Sequence, residues 1–195
     1  MEQVSAFVHV TIDGFFAGPH GEIDWFKVIR KDDEYDAYTH EQSQSGNTLI
    51  FGRTTYEMMK SYWPTPEAIK ADPAMAEAVN KSPKLVFSRK LRSVEEGPNW
   101  KNVELVHGIE PKDIRKRKES GGAFTILGSG TIVQQFSNQG LLDEYALVIV
   151  PIVLGSGRRL FEDVRQTDLE LLESRSFKNG LVVLRYGGRN TEIHD

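Results

Sequence analysis

Apolar and polar residues alternate from Val4 through Ala6, Val8 and Val10 to Ile12, with Ser5, Phe7, His9 and Thr11 between them. A period of two with β-branched residues predicts a strand, which Asp13-Gly14 ends in a turn. From Asp32 to about Ser45 the chain is polar and places Tyr35 and Tyr38 at helical spacing, and Gly46-Asn47 breaks that helix. Thr48–Phe51 predicts a short strand, and Gly52 introduces a helix through Thr54, Thr55 and Met58. After a loop around Ser61–Pro66, either Pro66-Glu67 or Asp72-Pro73 opens the next helix, because proline is tolerated in a first turn.

Lys84–Ser88 and Val103–Val106 read as strands, and Asp113–Glu119 reads as a charged helix. Ala123–Leu127 is a continuous apolar run, as expected of a strand covered on both faces. Gly128-Ser129-Gly130 then leads into a helix carrying Ile132, Val133 and Phe136. Glu144–Leu154 is the longest strand candidate. Leu169–Phe177 and Leu181–Tyr186 form a hairpin around Lys178-Asn179-Gly180. Strands alternating with helices early and a hairpin late predict a mixed, mostly parallel sheet with an antiparallel edge.

Three strand ends carry chemistry suited to phosphate. Phe51-Gly52-Arg53-Thr54-Thr55 joins an apolar strand to a helix start with a guanidinium and two hydroxyls. Unpaired amides at a helix start bind anions, as does a guanidinium. Leu127-Gly128-Ser129-Gly130-Thr131 repeats the strand, glycine and helix order, so a pyrophosphate can approach the backbone. Val86-Phe87-Ser88-Arg89-Lys90 delivers a hydroxyl and two cations to a strand's carboxyl end, where ligands of open α/β sheets collect. Taken singly, each also reads as a capped turn or a solvated loop. The Rossmann fingerprint is incomplete, with Val133 in place of the third glycine and no acidic residue near Val148.

Composition narrows the picture. The 195 residues suit one domain spanning 1–195, with 39% hydrophobic and 27% charged residues. A net charge of −4 with both signs interspersed makes phosphate recognition a local matter. Lys112 and Arg115–Lys118 are interrupted by Asp113 and closed by Glu119, so no nucleic-acid partner is expected. The chain has no cysteine, and His9, His20 and His107 lack ligand spacing, so neither a disulfide nor a metal site is expected. The Met1-Glu2-Gln3 start lacks a leader pattern, and no run approaches the ~18 apolar residues of a membrane span. A cytoplasmic protein without membrane contact is the resulting expectation.

In order and spacing, Leu49–Glu57, Lys84–Arg89 and Ile126–Thr131 resemble the dihydrofolate reductase superfamily. Thr11–Ala17 and Gly140–Glu144, running on to Pro151–Phe161, resemble the reductase domain of bacterial riboflavin biosynthesis. Arg53–Glu57 with Tyr62-Trp63-Pro64 is similar to its stand-alone members. The zinc deaminase module that often accompanies that domain needs cysteines this chain lacks.

The resemblance implies a dihydrofolate reductase-like three-layer α/β/α fold, with a mixed, mostly parallel sheet and a C-terminal antiparallel hairpin. It also implies an NADPH-dependent oxidoreductase that transfers hydride to C=N or C=O of a small soluble substrate, pteridine or ribosylaminopyrimidine in type. Gly52, Arg53, Thr54, Thr55, Ser88, Arg89, Gly128, Ser129, Gly130 and Thr131 would hold the cofactor. Asp36, 16 residues before Gly52, would handle the proton, and Trp25, His40 and Asp13 would line the substrate site. The bland reading of Asp36 is part of an acidic helix start with Asp32, Asp33 and Glu34. A homodimer is expected from the resemblance and from the apolar Tyr145–Leu154 strand. The alternative is a nucleotide-binding dimer without turnover.

Overall fold

The computed structural model describes residues 3–188. The reading of Met1-Glu2 as leaderless lies outside these residues, as do the two ends of the 1–195 domain. Ten strands and six α-helices follow one another as β1 (Val4–Thr11), β2 (Phe15–Ala17), α1 (Asp33–Ser43), β3 (Thr48–Gly52), α2 (Arg53–Tyr62), α3 (Pro66–Ala71), α4 (Pro73–Lys81), β4 (Lys84–Phe87) and β5 (Val103–Val106). The chain continues through α5 (Pro111–Glu119), β6 (Phe124–Leu127), α6 (Gly130–Asn138), β7 (Glu144–Val150), β8 (Arg158–Arg159), β9 (Leu169–Ser176) and β10 (Val182–Gly188). A 3-10 helix at Asp24–Val28 precedes α1.

Eight strands form one sheet in the order β5-β4-β3-β6-β1-β7-β10-β9. The pairings from β5 through β7 are parallel, whereas β10 runs antiparallel to both β7 and β9. The mixed sheet with an antiparallel hairpin is therefore as expected. Both proline-led helix starts are used, α3 beginning at Pro66 and α4 at Pro73.

Two strand expectations change. The strand from Glu144 stops at Val150 because Pro151 cannot donate to a ladder, leaving it shorter than β1 and β9. It also lies between β1 and β10, so its apolar character is explained by burial within the chain and no longer argues for a partner. Ile12 falls past the end of β1 and is 63% exposed. A further small sheet, β2 against β8, was not foreseen.

The two-residue period of β1 determines where the site lies. Val4, Ala6, Val8 and Val10 face Ile132, Val133 and Phe136 of α6 and Ile114 of α5 in one continuous core. The opposite face carries two separate clusters. One joins Tyr35 and Tyr38 of α1 to Val148, Val150 and Val183; the other joins Tyr56 of α2 and Val79 of α4 to Phe51 and Val86. Between them, over β1 and β6, the half-buried Ser5, Phe7, His9, Thr125 and Leu127 floor a cleft of about 770 Å3. That volume falls within the usual range for a small-molecule site.

Candidate functional site: a cleft along the sheet

The cleft begins at the carboxyl ends of β3 and β6. There Gly52 caps α2 and Ser129 caps α6, and neither helix start has a side-chain cap. Asp32 and Asp72, by contrast, accept first-turn amides in α1 and α4. Two neighbouring helices thus start at one edge of the sheet without a side-chain cap, the Ser129 carbonyl accepting the Ile132 and Val133 amides, an arrangement that suits an anion-binding site.

A single hydroxyl links the two loops. Ser129 Oγ accepts the Gly52 amide at 2.7 Å and shares a hydrogen bond with Thr55 Oγ1 at 2.9 Å. Ser129 itself is left-handed at φ 55, after Gly128 at φ 59. A non-glycine residue in that conformation costs about 1–2 kcal/mol, which the two hydroxyl contacts offset. Ser129 therefore keeps the turn and adds a clamp. Gly130 is needed for a different reason, since a Cβ there would lie 2.3 Å from the Phe16 ring.

All eight predicted residues at these two turns, Gly52–Thr55 and Gly128–Thr131, line the cleft. Arg53 holds a loose contact to Glu57 at 3.3 Å, with both side chains nearly half exposed. Arg158 lines the same mouth from β8. Two uncapped helix starts, a left-handed turn that clears the backbone and two cations fit a dinucleotide's phosphates.

The other predicted residues fall elsewhere. Ser88 and Arg89 follow β4 at the same sheet edge but outside the cleft lining, and Ser88 Oγ accepts the amides of Lys90 and Leu91 in its own loop. Asp13 accepts from Thr11 Oγ1 and from the amides of Leu154 and Gly155, clamping the turn after β1 to the segment after β7. The Thr11 hydroxyl, reinforced by those amides, holds its pKa down to about 2. Trp25 is buried against Phe26 with ring centroids 4.5 Å apart, and its indole N–H has no partner among the described residues. His40 pairs with Asp72 at 2.8 Å and ties α1 to α4.

Asp36 lies on α1 beside the cleft-facing stripe formed by Tyr35, Thr39, Gln42 and Ser43, and is not part of the lining. One helical residue is a rotation of about 100°, enough to exchange which side chain faces the floor.

Sequence reasoning missed three cleft features. His9 Nε2 and the Tyr35 hydroxyl are 2.7 Å apart above the middle of the floor. Arg185 meets Glu144 through two contacts of 2.8 Å at the amino end of the sheet, with Glu173 at 3.0 Å on its other arm. Phe16 reaches in from β2. The polar residues of β1 were the available signal, because a polar residue on the inner face of a central strand needs a reason.

Among the described residues no group of three or more histidine or acidic side chains could hold a metal ion. No helix there is long and apolar enough to cross a membrane.

Comparison with known proteins agrees with this geometry. Residues 2–183 match the RibD C-terminal domain family. The uncharacterized protein YyaP of Bacillus subtilis is 29% identical over 91% of this chain and 90% of its own. A Shewanella sp. PV-4 protein with a riboflavin-biosynthesis designation superposes with a TM-score of 0.76 at 22% identity, covering 96% of this chain and 99% of its own. Dihydrofolate reductase from Enterococcus faecalis, solved with NADP(H), gives a TM-score of 0.65 at 13% identity over 97% and 98% of the two chains. With a dihydrofolate reductase-like fold and a match spanning nearly its whole length, the chain belongs to the RibD C-terminal domain family.

Proposed function

We propose that the protein is an NADPH-dependent reductase of a small soluble substrate of pteridine or ribosylaminopyrimidine type. The observation that carries this reading is the pair of uncapped helix starts joined through Ser129, with a cleft leading away from them along the sheet. Gly52–Thr55 and Gly128–Thr131 would hold the dinucleotide's phosphates, and Arg53 with Ser88 and Arg89 would receive the adenosine 2′-phosphate. When bound, the cofactor supplies hydride to a C=N or C=O carbon. The chain orients the two partners and excludes water through Phe7, Phe16 and Phe26 at the cleft wall. Asp36 remains the proposed proton carrier from the flank of α1.

A second reading, a nucleotide-binding protein without turnover, is favoured by one observation. The two carboxylates lining the cleft are both paired, Asp72 to His40 and Glu144 to Arg185. Steady-state oxidation of NADPH with candidate pteridines and ribosylaminopyrimidines separates the two. Turnover with one of them is the expected result, and tight NADPH binding with no turnover on either class supports the second reading.

We also propose a homodimer. Leu171 and Leu172 are 52% and 55% exposed on the edge strand β9, and two-fold pairs are the commonest oligomers. Light scattering should report twice the chain mass at micromolar concentration; the mass of one chain would contradict it.

A further inference from the structure

His9 and Tyr35 come from distant parts of the chain, one from the central strand and one from the first turn of α1, and meet in the cleft. Their 2.7 Å contact is short for a nitrogen and an oxygen. Phe26 packs on the imidazole at 5.0 Å between centroids and Phe7 meets it edge-on at 5.7 Å. Tyr35 is held from behind by Phe177 at 5.1 Å. β1 passes the end of β6 here, its last partner being Phe7 opposite Leu127, before Gly128 turns toward α6. The pair therefore stands next to the phosphate cradle, on the floor that leads away from it.

We propose that His9 and Tyr35 act as one uncharged hydrogen-bonding unit that recognises the neutral lactam edge of a flat heteroaromatic ligand. The proposal rests on the reading of this cleft as the substrate's part of the site.

The chemistry follows from the two tautomers of a neutral imidazole. When Nε2 is bare, the Tyr35 O–H donates to it and the phenol oxygen offers lone pairs to a ligand N–H. When Nε2 carries the proton it donates to the phenol oxygen, and the Tyr35 O–H is released toward a ligand carbonyl. The unit thus offers a donor or an acceptor at the same atom with no change of charge. Both groups are held in their neutral forms. Burial brings His9 down to about 4 and, with Tyr38 and Asp36 adding to it, raises Tyr35 above the usual phenol range.

The surrounding charges do not disturb this state. Asp36 flanks Tyr35 on α1, Glu144 of β7 and Arg185 of β10 neutralise one another, and His20 and Arg158 belong to the cleft's mouth. The uncharged pair offers an ionised ring no counter-charge in this low-dielectric setting, whereas an uncharged lactam can meet it with either its N–H or its carbonyl.

The test is a double-mutant cycle read by ligand binding, with pteridine-2,4-dione as the probe and the full-length protein with and without NADP+. Tyr35→Phe keeps the ring packed on Phe177, and His9→Phe keeps an aromatic between Phe7 and Phe26, so both variants should fold, as melting curves will check. Each should weaken the probe about tenfold, and the double variant should be no weaker than either alone, because a unit broken once cannot be broken again. NADP+ affinity should stay within about twofold in all three. Independent, additive losses, unchanged probe affinity in Tyr35→Phe, or a wild-type protein that does not bind the probe would each overturn the proposal. Probe binding that depends on the pair in a protein unable to bind NADP+ would uphold it while removing the reductase reading.

Discussion

Gly52→Val should weaken NADPH binding by at least about a hundredfold while leaving the sheet intact, because the two loops proposed to hold its phosphates lose their common anchor. A Cβ at position 52 would lie 2.9 Å from Ser129 Oγ and 3.3 Å from Ile132 Cγ1, and valine adds two methyl groups beyond it. The serine hydroxyl must then rotate away, losing both the Gly52 amide and Thr55 Oγ1. Ser129 would keep a left-handed conformation with nothing to offset its cost. The amides of α6 would no longer be held in register with those of α2, and charge-assisted bonds to phosphate each contribute about 1.5–3 kcal/mol. Calorimetric titration, with circular dichroism to verify the fold, measures the effect. An affinity within about threefold of the wild type would show that the phosphates lie elsewhere.

Lys84→Met should destabilise the fold by about 2–4 kcal/mol while leaving the residues of the phosphate turns in place. Lys84 opens β4 and is 1% exposed. Its ammonium donates to the carbonyls of Asn80 at 2.9 Å, Ser82 at 2.7 Å and Lys101 at 3.0 Å, and it lies 4.5 Å from the centre of the Trp100 ring. It therefore closes the carboxyl end of α4 and joins it to the approach to β5. Burial pushes its pKa down to about 8 against the opposing field of Glu96, so it still carries its proton at neutral pH. Methionine matches the volume but offers no donor, leaving the carbonyls of Ser82 and Lys101 without the ammonium and that of Asn80 with the Lys101 amide alone. Urea unfolding with an unchanged slope should give the predicted loss, and NADPH affinity of the folded variant should not change. A loss under about 1 kcal/mol would mean that water replaces the ammonium.

The parts of this fold that were legible in the sequence are those where one residue type has one physical use. The period of β1, the glycine-ended strands at Phe51-Gly52 and Leu127-Gly128, and the turn at Asn179-Gly180 all constrain the backbone directly. The β2–β8 pairing was not legible, since three residues against two carry no period. Nor was the end of β7, where an apolar run continues through Ile152, Val153 and Leu154 after Pro151 has already closed the ladder.

The site divides in the same way. The half of the cleft proposed to hold phosphate, the two turns Gly52–Thr55 and Gly128–Thr131, was legible as part of one cleft because it is made of backbone, and backbone exposure at a helix start leaves glycines and hydroxyls in the sequence. The other half depends on helix phase. Counting 16 residues back from Gly52 reaches Asp36, but the phase of α1 is set by its cap at Asp32, and that cap turns Tyr35 onto the cleft. Asp13 and His40 carry polar groups whose partners, Gly155 and Asp72, are brought in only by the folded chain, and Trp25 is stacked on its own neighbour Phe26 and buried.

Parallel calorimetric titrations of the wild-type protein with NADPH and NADH test the central claim most directly, because the two cofactors differ only in the 2′-phosphate assigned to Arg53, Ser88 and Arg89. The account predicts that NADPH binds about one to two decades more tightly, the contribution of charge-assisted bonds to that phosphate. Equal dissociation constants for the two cofactors would contradict it.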